Sequence, residues 1–128
     1  MSLAVQVTFD CARPGALAAF WCEVLGYELQ PPPPGFDSWD AALDPEGVGP
    51  RLFFQRVPEV KQTKNRLHLD VRAAPGLTGD ERMAALSAES ERLVLLGAEQ
   101  LRRVEPDGAT ESGLVVMLDP EGNEFCLD

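Results

Sequence analysis

The chain has 128 residues, of which 45% are hydrophobic and 25% charged, values typical of one compact globular domain. Its formal net charge of −10 disfavours binding to nucleic acids and anionic membranes, because no excess of basic residues is available to neutralise phosphates. No apolar run approaches membrane-spanning length, and the three widely spaced cysteines predict reduced thiols in a cytoplasmic protein.

The first half of the chain predicts one strand, one helix and three further strands. Val5, Val7 and Phe9 alternate with polar residues, a pattern typical of a strand with one buried face. Apolar residues then recur at helical spacing up to Leu25, and Gly26 is a common residue at a helix end. The predicted elements are residues 5–10, 14–25, 27–30, 38–43 and 51–56.

The second half predicts the same order of elements. Leu67, Leu69 and Val71 alternate with polar residues, as in the first strand. Thr78 and Glu81 match a capping box, in which each side chain bonds a free backbone N–H at the start of a helix. The predicted elements are residues 66–71, 78–96, 98–104, 114–118 and 124–127.

An internal repeat supports this division. The pentapeptide Leu-Asp-Pro-Glu-Gly occurs twice, at residues 43–47 and 118–122, and closes the same part of each half. The sequence therefore predicts an α+β fold of two βαβββ modules that form a cupped mixed sheet with the helices outside. We expect a single domain, residues 1–128, with module one at about 1–57, a linker at about 58–64 and module two at about 65–128.

One histidine, one glutamate and one glutamine are candidates for chemistry. His68 is the only histidine, and alternation places it on the polar face of its strand. Gln6 occupies the equivalent position in the first module, and Glu124 opens the last strand of the second. Imidazole, carboxylate and amide oxygen together suit a divalent ion such as iron, manganese, nickel or zinc. The alternative for His68 is an ordinary solvated polar residue.

The chain resembles glyoxalase-like members of the vicinal oxygen chelate superfamily, which includes glyoxalases, bleomycin resistance proteins and dioxygenases. The segments that carry the resemblance are residues 9–14, 18–27, 57–59, 64–71 and 119–124. Similar proteins pair two βαβββ modules around a cupped sheet, often as dimers. Their metal-dependent members take up to four ligands from the first and last strands of each module.

The resemblance implies a small-molecule ligand, a homodimer, and a divalent metal bound by Gln6, His68 and Glu124. Glu124 is also the candidate catalytic residue. The fourth ligand position is expected within residues 52–55, where only Gln55 could ligate.

Three further residues are candidate ligand contacts. Asp10 and Asp70 follow Gln6 and His68 on the same strand faces, where they either line the cup or are solvated. Trp39 either stacks on a planar ligand or packs in the core. Two functions stay open: a divalent-metal-dependent lyase, isomerase or dioxygenase, and a metal-free protein that sequesters an antibiotic or metabolite.

Overall fold

The computed structural model describes residues 1–128, and the chain divides into two compact units, Met1–Lys61 and Gln62–Asp128. Each unit contains one helix and one four-stranded mixed sheet, which confirms the predicted α+β class and the two βαβββ modules. The boundary between the units falls within residues 58–64, the range predicted as a linker. Neither helix combines the length and the hydrophobicity needed to cross a membrane.

The first unit has a parallel strand pair at one end of its sheet. Its elements are β1 (Val7–Cys11), α1 (Pro14–Leu25), β2 (Glu28–Leu29), β3 (Trp39–Leu43) and β4 (Leu52–Arg56). The strand order is β1-β4-β3-β2, in which β1 and β4 are parallel and the other pairs antiparallel. Pro14 favours the first turn of α1, and Gly26 ends the helix in the left-handed conformation, with φ 70°.

The core of the first unit lies between α1 and one face of the sheet. The ring of Phe9 contacts both Trp21 and Phe54, with ring centroids 5.3 and 5.0 Å apart. Trp21 and Phe54 are buried, as is Phe20, so both helix aromatics belong to the core. Burial of each such side chain contributes about 2–3 kcal/mol. Polar residues that alternate with these strand residues occupy the opposite face.

The second unit repeats this arrangement. Its elements are β5 (Leu69–Val71), α2 (Gly79–Leu95), β6 (Glu99–Val104), β7 (Leu114–Leu118) and β8 (Glu124–Leu127). The strand order is β5-β8-β7-β6, and β5 and β8 form the parallel pair. Its core joins Leu86 and Leu93 of α2 to Met117 of β7 and Phe125 of β8, all of them fully buried.

Two strands begin at least two residues later than the sequence predicts. Val5 and Leu67 continue the alternation, but they are 72% and 86% exposed, and β1 and β5 start at Val7 and Leu69. A strand extends only as far as its partner, and β4 and β8 themselves start at Leu52 and Glu124. The residues before these starts still alternate between apolar and polar, but their apolar side chains do not pack in the core.

The start of α2 is confirmed at Gly79, but the predicted capping bond is wrong. The side chain of Thr78 makes no hydrogen bond to the helix. Asp80 and Glu81 still lie in the first turn, where negative charge favours the positive end of the helix dipole.

Candidate functional site

In each unit the face of the sheet opposite the helix carries the predicted site residues, and we call it the polar face. In the first unit the polar face includes Thr8, Asp10, Trp39, Phe53 and Gln55. Phe53 and Gln55 alternate with the buried residues of β4, and the other three lie opposite these two or alternate with buried residues of their own strands. Trp39 is half-buried and stacks on Phe53, with ring centroids 5.3 Å apart. It therefore lies on the polar face, away from the packed helix.

Gln6 and Arg51 stand side by side at the start of the parallel pair. Val7 is opposite Leu52, so the same register extended by one residue brings Gln6 next to Arg51. Nη1 of Arg51 donates to Oε1 of Gln6 at 2.7 Å, and Nε donates to Oε1 of Gln30 at 2.7 Å. The amide oxygen expected to bind a metal ion thus accepts a hydrogen bond from a guanidinium.

The register also identifies the first-unit equivalent of Glu124. Leu69 is opposite Phe125, so His68 and Glu124 are neighbours when that register is extended by one residue. The corresponding neighbour of Gln6 is Arg51, one residue before the range expected from the sequence. The extra residues between the turn at residues 43–47 and β4 prevented this position from being found by counting from the turn.

Gln55 and Asp10 form a separate pair farther along the same strands. They are opposite each other, and Nε2 of Gln55 donates to Oδ1 of Asp10 at 2.7 Å. Gln55 therefore lies beside Asp10 rather than beside Gln6, where a fourth ligand would be needed.

In the second unit His68 belongs to a cluster of three side chains. Nδ1 of His68 lies 3.0 Å from Oδ1 of Asp70, and Asp70 is opposite Cys126 in the strand register. One ligand atom from each of the three lies within 4.8 Å of the others. The cluster does not include Glu124. The sequence analysis did not predict Cys126 in this cluster, although its place two residues after Glu124 gives both the same strand face.

The thiol of Cys126 is held in its protonated form. Burial raises its pKa to about 11, and the negative charges of Asp70 and Glu124 and a hydrogen bond to Asp70 act in the same direction. Because the thiolate is the form that attacks electrophiles, Cys126 is a poor nucleophile near neutral pH.

Glu124 is neutralised by a residue from the end of the predicted linker. Nζ of Lys64 lies 3.0 and 3.1 Å from the two carboxylate oxygens of Glu124, and the Glu124 backbone N–H donates to Oδ1 of Asn65 at 3.2 Å. The side chain of Glu124 is 14% exposed and that of Lys64 is 73% exposed. The carboxylate is therefore shielded, while its cationic partner is largely in solvent.

These side chains do not fit the divalent cation that the resemblance implies. The oxygens of Gln6 and Glu124 are bound by the cations Arg51 and Lys64. The position of the fourth ligand holds a guanidinium, which has five N–H donors and no acceptor. Divalent ions are held by oxygen, neutral nitrogen or thiolate ligands, and a fixed positive charge at a ligand position opposes their binding.

Comparison with known proteins gives a consistent fold. The family model described as glyoxalase-like domain matches residues 6–127. A glyoxalase/bleomycin resistance protein/dioxygenase family enzyme from Burkholderia phytofirmans PsJN has a TM-score of 0.66 at 18% identity, covering 95% of this chain and 94% of that chain. A glyoxalase-related enzyme from Fulvimarina pelagi has a TM-score of 0.66 at 19% identity, covering 99% and 87%.

The fosfomycin resistance protein FosX from Listeria monocytogenes is also similar in structure. A mutant of it, complexed with Mn(II) and 1S,2S-dihydroxypropylphosphonic acid, has a TM-score of 0.67 at 14% identity, covering 99% of this chain and 89% of that chain. Identities in this range establish likeness of fold. No curated protein matches the chain significantly.

Proposed function

The chain belongs to the glyoxalase-like domain family of the vicinal oxygen chelate superfamily, and we propose that it binds a small organic molecule without a divalent metal ion. The ligand would be a planar antibiotic or metabolite, and the polar face of the first unit would contact it. The function is then sequestration of the ligand rather than chemistry on it.

Arg51 is the observation that carries this proposal. It stands at the position equivalent to Glu124 and donates to Gln6, the other residue expected to ligate in that unit. A positively charged side chain thus occupies one expected ligand position and bonds the oxygen at the other, which disfavours a divalent cation there. In a protein that binds an organic molecule, by contrast, a fixed guanidinium is a useful polar contact.

The aromatic pair on the same face supports a planar ligand. Trp39 and Phe53 are stacked and half-buried, so their rings remain partly accessible beside the polar groups. Small-molecule sites typically combine such aromatic surface with a few fixed polar groups. Trp39 is thereby assigned to ligand contact, and Asp10 to the edge of the same surface.

A fluorescence titration tests the proposal, because only one tryptophan is accessible. Trp21 is 1% exposed and lies in the core, so quenching by a bound ligand reports Trp39. We expect planar antibiotics and aromatic metabolites to quench the wild type equally with and without a chelator, and to quench Trp39→Phe far less. A ligand panel that leaves the wild type unquenched would contradict the proposal.

The alternative function is a divalent-metal-dependent lyase, isomerase or dioxygenase, with Gln6, His68 and Glu124 as ligands and Glu124 as the catalytic residue. Its support is the register that makes His68 and Glu124 neighbours, and the structural likeness to a protein complexed with Mn(II). Metal analysis after purification without chelator separates the two functions. Stoichiometric iron, manganese, nickel or zinc that is lost in His68→Ala would favour the enzyme.

A homodimer in the cytoplasm completes the proposal. Cys11, Cys22 and Cys126 are all free thiols, which supports a reducing compartment. Light scattering on the purified protein tests the dimer, and a monomer mass of 13.9 kDa at micromolar concentration would contradict it.

A further inference from the structure

We propose that Arg51 is the recognition site for a carboxylate on a flat aromatic ligand. This inference rests on the proposed function, because it specifies the chemical class of the molecule that the polar face of the first unit binds. The carboxylate would receive two hydrogen bonds from the guanidinium, and the ring would lie against Phe53 and Trp39.

The charge of Arg51 is not neutralised within its unit. Both of its acceptors, Gln6 and Gln30, are neutral amide oxygens, and no carboxylate lies within ion-pair distance. Four other arginines of the chain have acidic partners; these are Arg56 with Asp37, Arg72 with Asp128, Arg92 with Glu89 and Arg103 with Glu105. In a chain with net charge −10, Arg51 is half-buried without an acid, so its charge is available to an anionic ligand.

The guanidinium is already fixed in position. Of its five N–H groups, two are used, one on Nε and one on Nη1, so three remain, including both hydrogens of Nη2. The Phe53 ring supports it from one side, with its centroid 5.4 Å from the guanidinium carbon. Nη2 keeps both of its N–H groups free to donate to a carboxylate, and the bonded guanidinium has little rotamer entropy left to lose.

The rest of the face defines which end of the ligand carries the charge. Phe53 contacts both Arg51 and Trp39, so aromatic surface continues directly from the cation. Gln55 lies four residues beyond Arg51 on β4, about 13 Å away, and holds the carboxylate of Asp10. A second acidic group at that end would be repelled, so the geometry favours a monoanion with its acid at Arg51.

Two matched probes test the inference on the wild-type protein. The planar quencher 4-nitrobenzoate carries the acid, and 4-nitrobenzamide has the same ring and shape without the charge. Titration of Trp39 fluorescence should give at least about tenfold tighter binding of the acid, the value expected for hydrogen bonds between charged groups. Equal affinity for the two probes, or no quenching by either, would overturn the inference.

Variants assign the preference to the residue. Arg51→Gln should remove the preference for 4-nitrobenzoate, and Arg51→Lys should retain only part of it, because a lysine keeps the charge but not the planar pair of N–H groups. Arg102→Gln is the matched control, since it removes one charge from an exposed arginine of β6. Far-UV circular dichroism checks that each variant is folded, and an Arg51→Gln protein that keeps the preference would overturn the assignment.

The same titration with a chelator separates this inference from the proposed function. Equal binding of both probes that a chelator leaves unchanged overturns the carboxylate site and leaves metal-free binding in place. Acid binding that disappears with chelator and is unchanged in Arg51→Gln overturns both, since a metal ion would then hold the carboxylate.

Discussion

The two Leu-Asp-Pro-Glu-Gly turns provide an internal comparison, because the same aspartate is buried in one copy and accessible in the other. Asp119 is 3% exposed, and its Oδ1 accepts from the backbone N–H groups of Glu121 and Asn123 at 2.8 and 3.0 Å. Its Oδ2 accepts from Nδ2 of Asn123 at 2.8 Å. This network fixes the turn that leads into Glu124, so Asp119→Ala should destabilise the second unit.

The magnitude follows from the donors that lose their acceptor. A buried donor without a partner costs about 1–3 kcal/mol, and water can reach part of this half-buried turn. We therefore expect Asp119→Ala to cost about 3 kcal/mol, a large share of the roughly 5–15 kcal/mol stability of a domain. Asp119→Asn keeps an acceptor for the two backbone donors and should cost about half as much.

Asp44 supplies the matched control. It accepts from the backbone N–H groups of Glu46, Val48 and Gly49 at 2.9, 3.1 and 2.7 Å. Most of these groups are open to solvent, so water replaces the lost acceptor in Asp44→Ala. The first turn should therefore tolerate the same substitution better than the second, despite its equal number of donors.

Urea unfolding measures both variants with different probes. Both tryptophans lie in the first unit, so fluorescence follows Asp44→Ala while far-UV circular dichroism, which also records α2, follows Asp119→Ala. A cost below about 1 kcal/mol for Asp119→Ala, or one no larger than that of Asp44→Ala, would refute the argument that burial decides the value of this bond.

Three further outcomes are expected. Burial and nearby carboxylates raise the pKa of Cys126 to about 11, so the folded state keeps a proton on this thiol at a pH where the unfolded state has lost it. The free energy of unfolding should therefore fall as pH rises from about 9 to about 11. Cys126→Ala should make that fall less steep in urea titrations at alkaline pH. Backbone N–H groups lower the pKa of Asp44. The ionised carboxylate therefore stabilises the folded state above the usual pKa range of a carboxyl group, and this stabilisation is lost as pH falls below that range. Asp44→Asn should make the loss of stability at acid pH less steep when unfolding is followed by fluorescence. Lys64→Met should change the unfolding free energy by less than about 1 kcal/mol, because the lysine that pairs with Glu124 is 73% exposed; a larger loss in urea titrations would contradict this.

Local sequence signals predicted the elements well where both ends of the element are encoded locally. Pro14 and Gly26 bound α1, and its observed range agrees with the predicted one. Residues 114–118 also form the predicted strand. The starts at Val5 and Leu67 were wrong because strand length depends on a partner that is distant in sequence.

The candidate site was predicted less completely, for the same reason. The sequence predicts Gln6 and His68 as repeat-equivalent positions and Glu124 beside His68, and the register of β5 and β8, extended by one residue, is compatible with that pairing. Arg51 was not predicted, since its place depends on a parallel register rather than on distance from a turn. Lys64 was assigned to a linker, because only the folded chain brings it to Glu124.

The two modules therefore share a backbone plan but carry different charges at equivalent positions. Beside the first-strand residue, one unit has Arg51 and the other has Glu124, and Lys64 offsets the charge of the latter. A divalent metal would require negative or neutral ligands at these positions, whereas a monoanionic ligand requires a cation that no acid neutralises. Only Arg51 meets the second requirement, because it is held by two neutral amides. Under the proposed function, the guanidinium at the position where the other module has a carboxylate is the reason that an organic anion, rather than a metal ion, is the expected ligand.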